Sequence, residues 1–145
     1  MNSEVLIRQF NNEIDQSQVV ALWKNIFGYG TPHNDPCLAI ANKVAINDGL
    51  FFVALIKNQV IGTVMAGYDG HRGWIYSLAV QPSFRAKGIG KGLMQHAESS
   101  LMKLGCPKIN LQVLETNSSV INFYKELGYS VEPRISMGKV ILNSN

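Results

Sequence analysis

The chain reads as an α/β protein with a mixed central sheet and elements in the order β-α-α-β-β-β-α-β-α-β-β. Three observations predict this class. Val19, Leu22, Trp23, Ile26 and Phe27 recur at helical spacing and make one apolar stripe on an early helix. Three successive runs in the middle of the chain, residues 50–57, 60–68 and 74–80, are apolar at alternate and intervening positions alike, as in a sheet covered on both faces. A glycine-rich segment then leads into a second helical stripe of Leu93, Met94, Ala97 and Leu101.

The elements follow in order. Residues 4–10 alternate Val5 and Ile7 against Glu4 and Arg8, the pattern of a first strand. The first helix is stopped by Gly28, Gly30 and Pro32, and a second begins at the cap Asp35 with Pro36 in its first turn, ending near Asp48 and Gly49. Asn58 and Gln59 form the turn of a hairpin between residues 50–57 and 60–68, and residues 67–73 form the next turn. Gly105 and Pro107 end the third helix, residues 108–114 form a strand, and residues 118–127 a fourth helix that Gly128 stops. Two short strands, around residues 129–131 and 136–141, close the chain.

At 145 residues, 46% hydrophobic and 16% charged, the chain has material for one buried core, and a single domain over residues 1–145 is expected. The longest apolar run, residues 50–56, is far short of the roughly 20 residues that cross a bilayer. No signal-like stretch opens the sequence, and Cys37 and Cys106 are too few for a disulfide framework and wrongly spaced for a metal site, so a cytoplasmic protein without metal is expected. The net charge of +3 is mild, and its one concentration is Arg85, Lys87 and Lys91, interleaved with glycines. That arrangement suits a small anionic ligand better than a nucleic acid or a membrane surface.

The segment 80–93 carries the most chemistry. It passes from a strand to a helix N-terminus, where several backbone N–H groups lack intrahelical partners and favour an anion, and its glycines allow a phosphate close to the backbone. A Walker loop would need Ser or Thr directly after its lysine, where Gly88 and Gly92 follow Lys87 and Lys91, and a dinucleotide fingerprint would need its third glycine three residues after the second, whereas Gly88, Gly90 and Gly92 are evenly spaced.

Arg85-Ala86-Lys87-Gly88-Ile89-Gly90 instead resembles the Arg/Gln-x-x-Gly-x-Gly/Ala signature of the GNAT acetyltransferases. A second signature of that family, Asn, a small apolar residue, Tyr, Gly and an aromatic at fixed offsets, is similar to Asn117, Val120, Tyr124, Gly128 and Tyr129, with Val120 in place of the usual alanine. The likeness runs over essentially the whole chain. Residues 62–73 and 105–109 further resemble the bacterial YpeA-type acetyltransferases.

The resemblance implies a mostly antiparallel sheet flanked by helices, acetyl-CoA as cosubstrate, and direct transfer of acetyl to a primary amine. It implies that residues 85–91, namely Arg85, Ala86, Lys87, Gly88, Ile89, Gly90 and Lys91, wrap the pyrophosphate. By the same likeness Leu78, Ala79 and Val80 hydrogen-bond the pantetheine arm through the main chain and polarise the thioester carbonyl. Asn117 touches the pantetheine arm or caps its helix, and Tyr124 is the general acid for the departing thiolate, or else a core aromatic on one face with Val120 and Leu127.

The general base is harder to assign. Where family members carry glutamate on the fourth or fifth strand, this chain has Trp74 and Gln112. Glu115 is the candidate taken forward; Asp69, His71 and Tyr76 acting through water are alternatives, although Asp69-Gly70 is also an ordinary turn pair. The loop between the first two helices, with Tyr29 and His33, and the turn and strand holding Asp69, His71 and Tyr76 are candidate acceptor contacts. The acceptor itself is a small-molecule or peptide amine. A homodimer is expected by analogy with relatives. The competing expectation, prompted by the missing glutamates, is a non-catalytic acetyl-CoA sensor or interaction module.

Overall fold

The computed structural model describes residues 4–28 and 31–141. Among the described residues five strands and four helices follow one another: β1 (Leu6–Gln9), α1 (Asn12–Phe27), α2 (Pro36–Ile46), β2 (Phe51–Ile56), β3 (Gln59–Tyr68), β4 (Gly73–Val80), α3 (Ile89–Lys103), β5 (Ile109–Leu111) and α4 (Ser118–Glu126). Short 3₁₀ turns at Pro32–Asn34 and Pro82–Phe84 precede α2 and α3. The strands form one mixed sheet in the order β1-β2-β3-β4-β5, with β1 to β4 paired antiparallel. β4 and β5 are joined through α3, the kind of crossover a parallel neighbour requires, while α1 and α2 lie between the antiparallel neighbours β1 and β2. The chain divides into two compact units, one up to Asn110 and one from Leu111.

In the first unit, capping follows the local sequence. The Asn11 side chain accepts from the Glu13 N–H at 3.0 Å at the start of α1, and Asp35 Oδ2 accepts from the Leu38 N–H at 3.1 Å ahead of Pro36 in α2. Asp15, almost wholly buried, is gripped by Arg8: Nη1 donates to Oδ2 at 2.7 Å and Nη2 to Oδ1 at 3.0 Å, while the Asn11 N–H donates to Oδ2 at 2.8 Å. Burial alone would raise this carboxyl, but the Arg8 fork and the Asn11 N–H outweigh it and hold it below the usual carboxylate range. The pair ties β1 to the first turn of α1.

Helices cover both faces of the sheet. Val19, Leu22 and Trp23 of α1 and Ile40 of α2 pack with Phe51, Val53, Leu55, Val60, Met65 and Ala79 on one side, where the Phe51 ring stacks between Phe10 and Trp23. On the other side α3 buries Leu93, Met94, Ala97 and Leu101, and the exposed His96 meets Phe52 edge-on at 4.6 Å. A Cβ on Gly62 would lie 3.0 Å from Leu93 Cδ1 and 3.1 Å from the Ala79 carbonyl, so glycine there lets α3 seat directly on β3.

Three sequence expectations are corrected. The β2–β3 turn is Lys57-Asn58, one residue earlier than Asn58-Gln59: both adopt positive φ (50° and 64°), as a two-residue hairpin turn requires, and Gln59 pairs with Ile56. β5 spans three residues instead of seven. The two closing strands are not formed among the described residues, where 129–141 carry no strand. Glu132, Pro133 and Arg134 turn the chain, with the Arg134 N–H on the Glu132 carbonyl at 2.8 Å, and Pro133 removes a ladder donor.

Candidate active site

The parity of the β3–β4 ladder changes once. Thr63 faces Ala79 and Met65 faces Tyr76, so the single residue Val64 opposes two, Ser77 and Leu78. Ser77 is the bulged residue and takes φ of 53°, a conformation L-residues seldom adopt. The Gln81 N–H bonds the Ile61 carbonyl, so Ala79 and Gln81 point their N–H groups at β3. Before the bulge the Ala66 N–H points to the β2 side, toward the Leu50 carbonyl, which directs Met65 and Gly67, and hence Tyr76 and Trp74, into the β3–β4 ladder. The bulge therefore turns two consecutive N–H groups, Ser77 and Leu78, toward the edge of β4 opposite β3. β5 joins that edge, and the Gly73 N–H at the start of β4 donates to the Lys108 carbonyl at 2.9 Å. Among the described residues, a three-residue β5 that starts beside Gly73 leaves the far end of the eight-residue β4, Leu78, Ala79 and Val80, without a strand partner on that edge.

Directly downstream the backbone forms an anion cradle. Ala86 and Gly88 take positive φ (63° and 82°), so successive N–H groups converge as in a nest. Gly88 occupies the N-cap of α3 and supplies no side-chain cap; the first turn at Ile89, Gly90 and Lys91 presents its donors to whatever lies at the helix end. No atom outside the local chain lies within 4 Å of a Cβ built on Gly88, so its surroundings are open to a ligand. Arg85 Nε donates to the Val80 carbonyl at 3.0 Å, which folds the loop back onto the strand end, and the Lys87 ammonium sits 5.5 Å over the Phe84 ring. Arg85, Lys87 and Lys91 are exposed while Ile89 is buried as the anchor. These residues fit a pyrophosphate: main-chain donors, a helix N-terminus and three exposed cations.

The turn before β4 behaves differently from a base site. Asp69 Oδ1 accepts from the His71 N–H at 2.7 Å and the Arg72 N–H at 2.8 Å, and the Arg72 and then the His71 bond hold the carboxyl below its usual range. A carboxylate so engaged is a weak proton acceptor, and Asp69 serves as a turn residue. Tyr76, half-exposed on β4, is pushed above the usual phenol range by partial burial and then by the Asp69 charge, so it is neutral at physiological pH. Trp74, at the position of the family glutamate, pairs with Gly67. Between α1 and α2, His33 Nε2 lies 3.2 Å from Thr31 Oγ1, and Asn34 Nδ2 donates to the same hydroxyl at 3.2 Å, an exposed polar cluster. Tyr29 lies outside the described residues.

The second unit holds the other candidates. Tyr124 of α4 is buried, with Phe123 and Tyr129 edge-on at 5.1 and 5.8 Å. Burial pushes its phenol up to about 12, which keeps it a proton donor at any ordinary pH. Gly128 ends the helix at φ of 98°, and the Tyr129 N–H returns to the Tyr124 carbonyl at 3.0 Å, so Tyr124 sits in a closed C-terminal turn. Asn117 occupies the N-cap of α4 but makes no side-chain cap; its Oδ1 accepts from Ser119 Oγ at 3.4 Å. Glu115 is exposed in the turn closed by the Asn117 N–H on the Leu114 carbonyl at 2.9 Å. Gln112 Nε2 donates to Ser136 Oγ at 2.6 Å.

The bulge at Ser77 escaped the sequence reading, because its signal is a ladder mismatch that only paired strands reveal. Among the described residues no group of three or more His, Cys, Asp or Glu is placed to hold a metal ion, and no helix is long and apolar enough to cross a membrane.

Solved structures share this architecture. An aminoglycoside N-acetyltransferase, AAC(6')-Iy, in complex with the bisubstrate analogue CoA-S-monomethyl-acetylneamine, is 23% identical with a TM-score of 0.78, covering 97% of this chain and 100% of that one. Ard1 from Thermoplasma volcanium is 25% identical with a TM-score of 0.77, covering 88% and 84% of the two chains. The PaiA N-acetyltransferase from Thermoplasma acidophilum, in complex with coenzyme A, is 22% identical with a TM-score of 0.77, covering 91% and 93%. The acetyltransferase (GNAT) family itself matches residues 17–129, well over half of the sequence, and the chain belongs to that family.

Proposed function

We propose that this chain moves the acetyl group of acetyl-CoA directly to the primary amine of a small molecule. The observation that carries this reading is one continuous run of backbone, residues 77–91, in which a bulged strand end with outward N–H groups leads into a nest and an uncapped helix N-terminus. Such a run matches a thioester, an amide-bearing arm and a pyrophosphate in sequence. Relatives of the same fold are an aminoglycoside acetyltransferase and a glucosamine-6-phosphate N-acetyltransferase, which supports a small, polar amine as acceptor.

Acetyl-CoA supplies an activated thioester; the remaining work falls to the chain. The Ser77 and Leu78 N–H groups receive the charge that builds on the carbonyl oxygen as the amine nitrogen bonds to carbon. The carbon–sulfur bond breaks as Tyr124 gives its proton to the departing sulfur, and the surplus proton of the amine passes to Glu115 or to water. Thr31, His33, Asn34 and Asp35 offer hydroxyl, imidazole, amide and carboxylate groups to the acceptor. In this reading residues 1–145 act as one acetyltransferase domain, the two free cysteines suit the reducing cytoplasm, and a homodimer is the expected assembly. The narrower likeness to YpeA-type enzymes rests on residues 62–73 and 105–109 and names no acceptor.

Thermal unfolding with acetyl-CoA, CoA, NAD and ATP tests the first step. A ligand at about a hundred times its dissociation constant adds roughly 2.7 kcal/mol of stability, and a rise in Tm with the CoA compounds alone is expected. No rise with any CoA compound removes the proposal. The engagement of Asp69 in its turn, with Trp74 and Gln112 at the family's glutamate positions, favours one second reading, a sensor that binds acetyl-CoA without turnover. A panel of small amines scored for CoA release separates the two.

A further inference from the structure

The bulge at Ser77 is braced from the opposite side of the sheet. Thr63 is fully buried in β3, and its Oγ1 donates to the Ser77 carbonyl at 2.9 Å. The same hydroxyl accepts the indole N–H of Trp23 in α1 at 2.8 Å, and Trp23 is only 3% exposed. An indole nitrogen only donates, so Thr63 must accept from it, and its single proton is committed to Ser77. The chain Trp23–Thr63–Ser77 thus has one polarity and no alternative arrangement.

This bond decides where the next amide points. In a trans peptide the carbonyl of one residue and the N–H of the next are antiparallel. With the Ser77 carbonyl held toward Thr63, the Leu78 N–H is held toward the open edge of β4. Ser77 pays for a positive φ, and the ladder at this point provides no backbone partner to hold it; the buried hydroxyl replaces that partner. We propose that Thr63 and Trp23 are positioning residues for acetyl transfer, locking the Leu78 N–H in line with the thioester carbonyl oxygen. The inference rests on the function proposed above and extends it to two side chains that touch neither cosubstrate nor acceptor.

The test uses acetyl-CoA labelled with ¹³C at the thioester carbonyl, read by difference infrared spectroscopy on wild type, Thr63→Val, Thr63→Ser and Trp23→Phe. This readout needs no acceptor amine. In wild type the carbonyl stretch of bound acetyl-CoA is expected to fall below its free value. Thr63→Val, of nearly the same volume, should return it toward the free value while binding stays within about threefold, because the pyrophosphate cradle is untouched; with an acceptor amine, kcat should fall by about 10- to 100-fold, short of the loss of a whole oxyanion donor. Thr63→Ser should keep the shift, and Trp23→Phe should lose part of it.

Retention of the full shift by folded Thr63→Val overturns the proposal. So does equal damage from Thr63→Ser and Thr63→Val, which would make the side chain's volume the cause. Should Thr63→Val fail to fold, Trp23→Phe carries the decision, and an unchanged shift there likewise overturns it. Absence of acetyl-CoA binding in wild type removes the function and this inference together, whereas a shifted wild-type carbonyl with indifferent variants removes the brace alone.

Discussion

Tyr124 offers the most quantitative handle on this protein. Its phenol is buried and held at about 12, against about 10 for an unperturbed tyrosine. That displacement corresponds to roughly 3 kcal/mol of preference for the neutral form in the folded state. The folded value is the raised one, so this contribution is complete below the unfolded pKa near 10 and is lost as the pH climbs through about 12. Denaturant unfolding of wild type and Tyr124→Phe at pH 7, 10 and 11 should therefore show wild type losing stability faster over the alkaline interval, by about 1 kcal/mol at pH 11. The same phenol cannot create an alkaline limb in kcat below about pH 10, since it stays protonated there. Tyr124→Phe should reduce turnover by about 10- to 1,000-fold with little change in acetyl-CoA binding. A wild-type alkaline limb near pH 8 that vanishes in Tyr124→Phe would refute the reasoning, because it would show a phenol that ionises readily.

Three further outcomes follow from the geometry. Arg8→Met strands the buried Asp15 carboxylate and should cost about 1–3 kcal/mol, below the full penalty of a buried pair because the Arg8 side chain is 30% exposed. In wild type the depressed Asp15 carboxyl contributes stability above the unfolded pKa near 3.9, lost as the pH falls through its lower folded value, and acid titration of the variant should lack that part of the slope. Gly88→Ala meets no steric obstacle but places a Cβ at φ of 82°, so it should cost about 1–2 kcal/mol by thermal unfolding and weaken acetyl-CoA binding by more than it weakens the fold. Glu115→Gln should lower kcat at neutral pH, while Asp69→Asn should leave kcat nearly unchanged, because the Asp69 carboxylate is already engaged by two backbone N–H groups; the reverse pattern in steady-state kinetics would exchange their roles.

Much of the fold was legible because it is written in local chemistry. The Asp35-Pro36 cap, the apolar stripe of α3 and that of α1 apart from the exposed Phe27, and Gly128 as a helix stop each act within one or two turns of chain, and each holds in the folded protein. The two-faced burial of β2 and β3 was readable for the same reason: their residues are apolar at nearly every position, and nearly all are buried. The closing strands were misjudged, since a strand exists only where a neighbour accepts its ladder, and apolar residues such as Ile135 and Met137 stay exposed without one.

The candidate site divides along the same line. Sequence alone determined the cradle: glycines at 88 and 90, the cations around them and the helix that follows are adjacent in the chain, so their spacing is already their geometry. Only the tertiary structure decided the bulge at Ser77 and the bond from Trp23 through Thr63 to Ser77. Trp23 and Thr63 are 40 residues apart, and in sequence each looks like an ordinary core position. A hydroxyl proton acquires a direction only when folding buries it between one donor and one acceptor and leaves it no water to turn to.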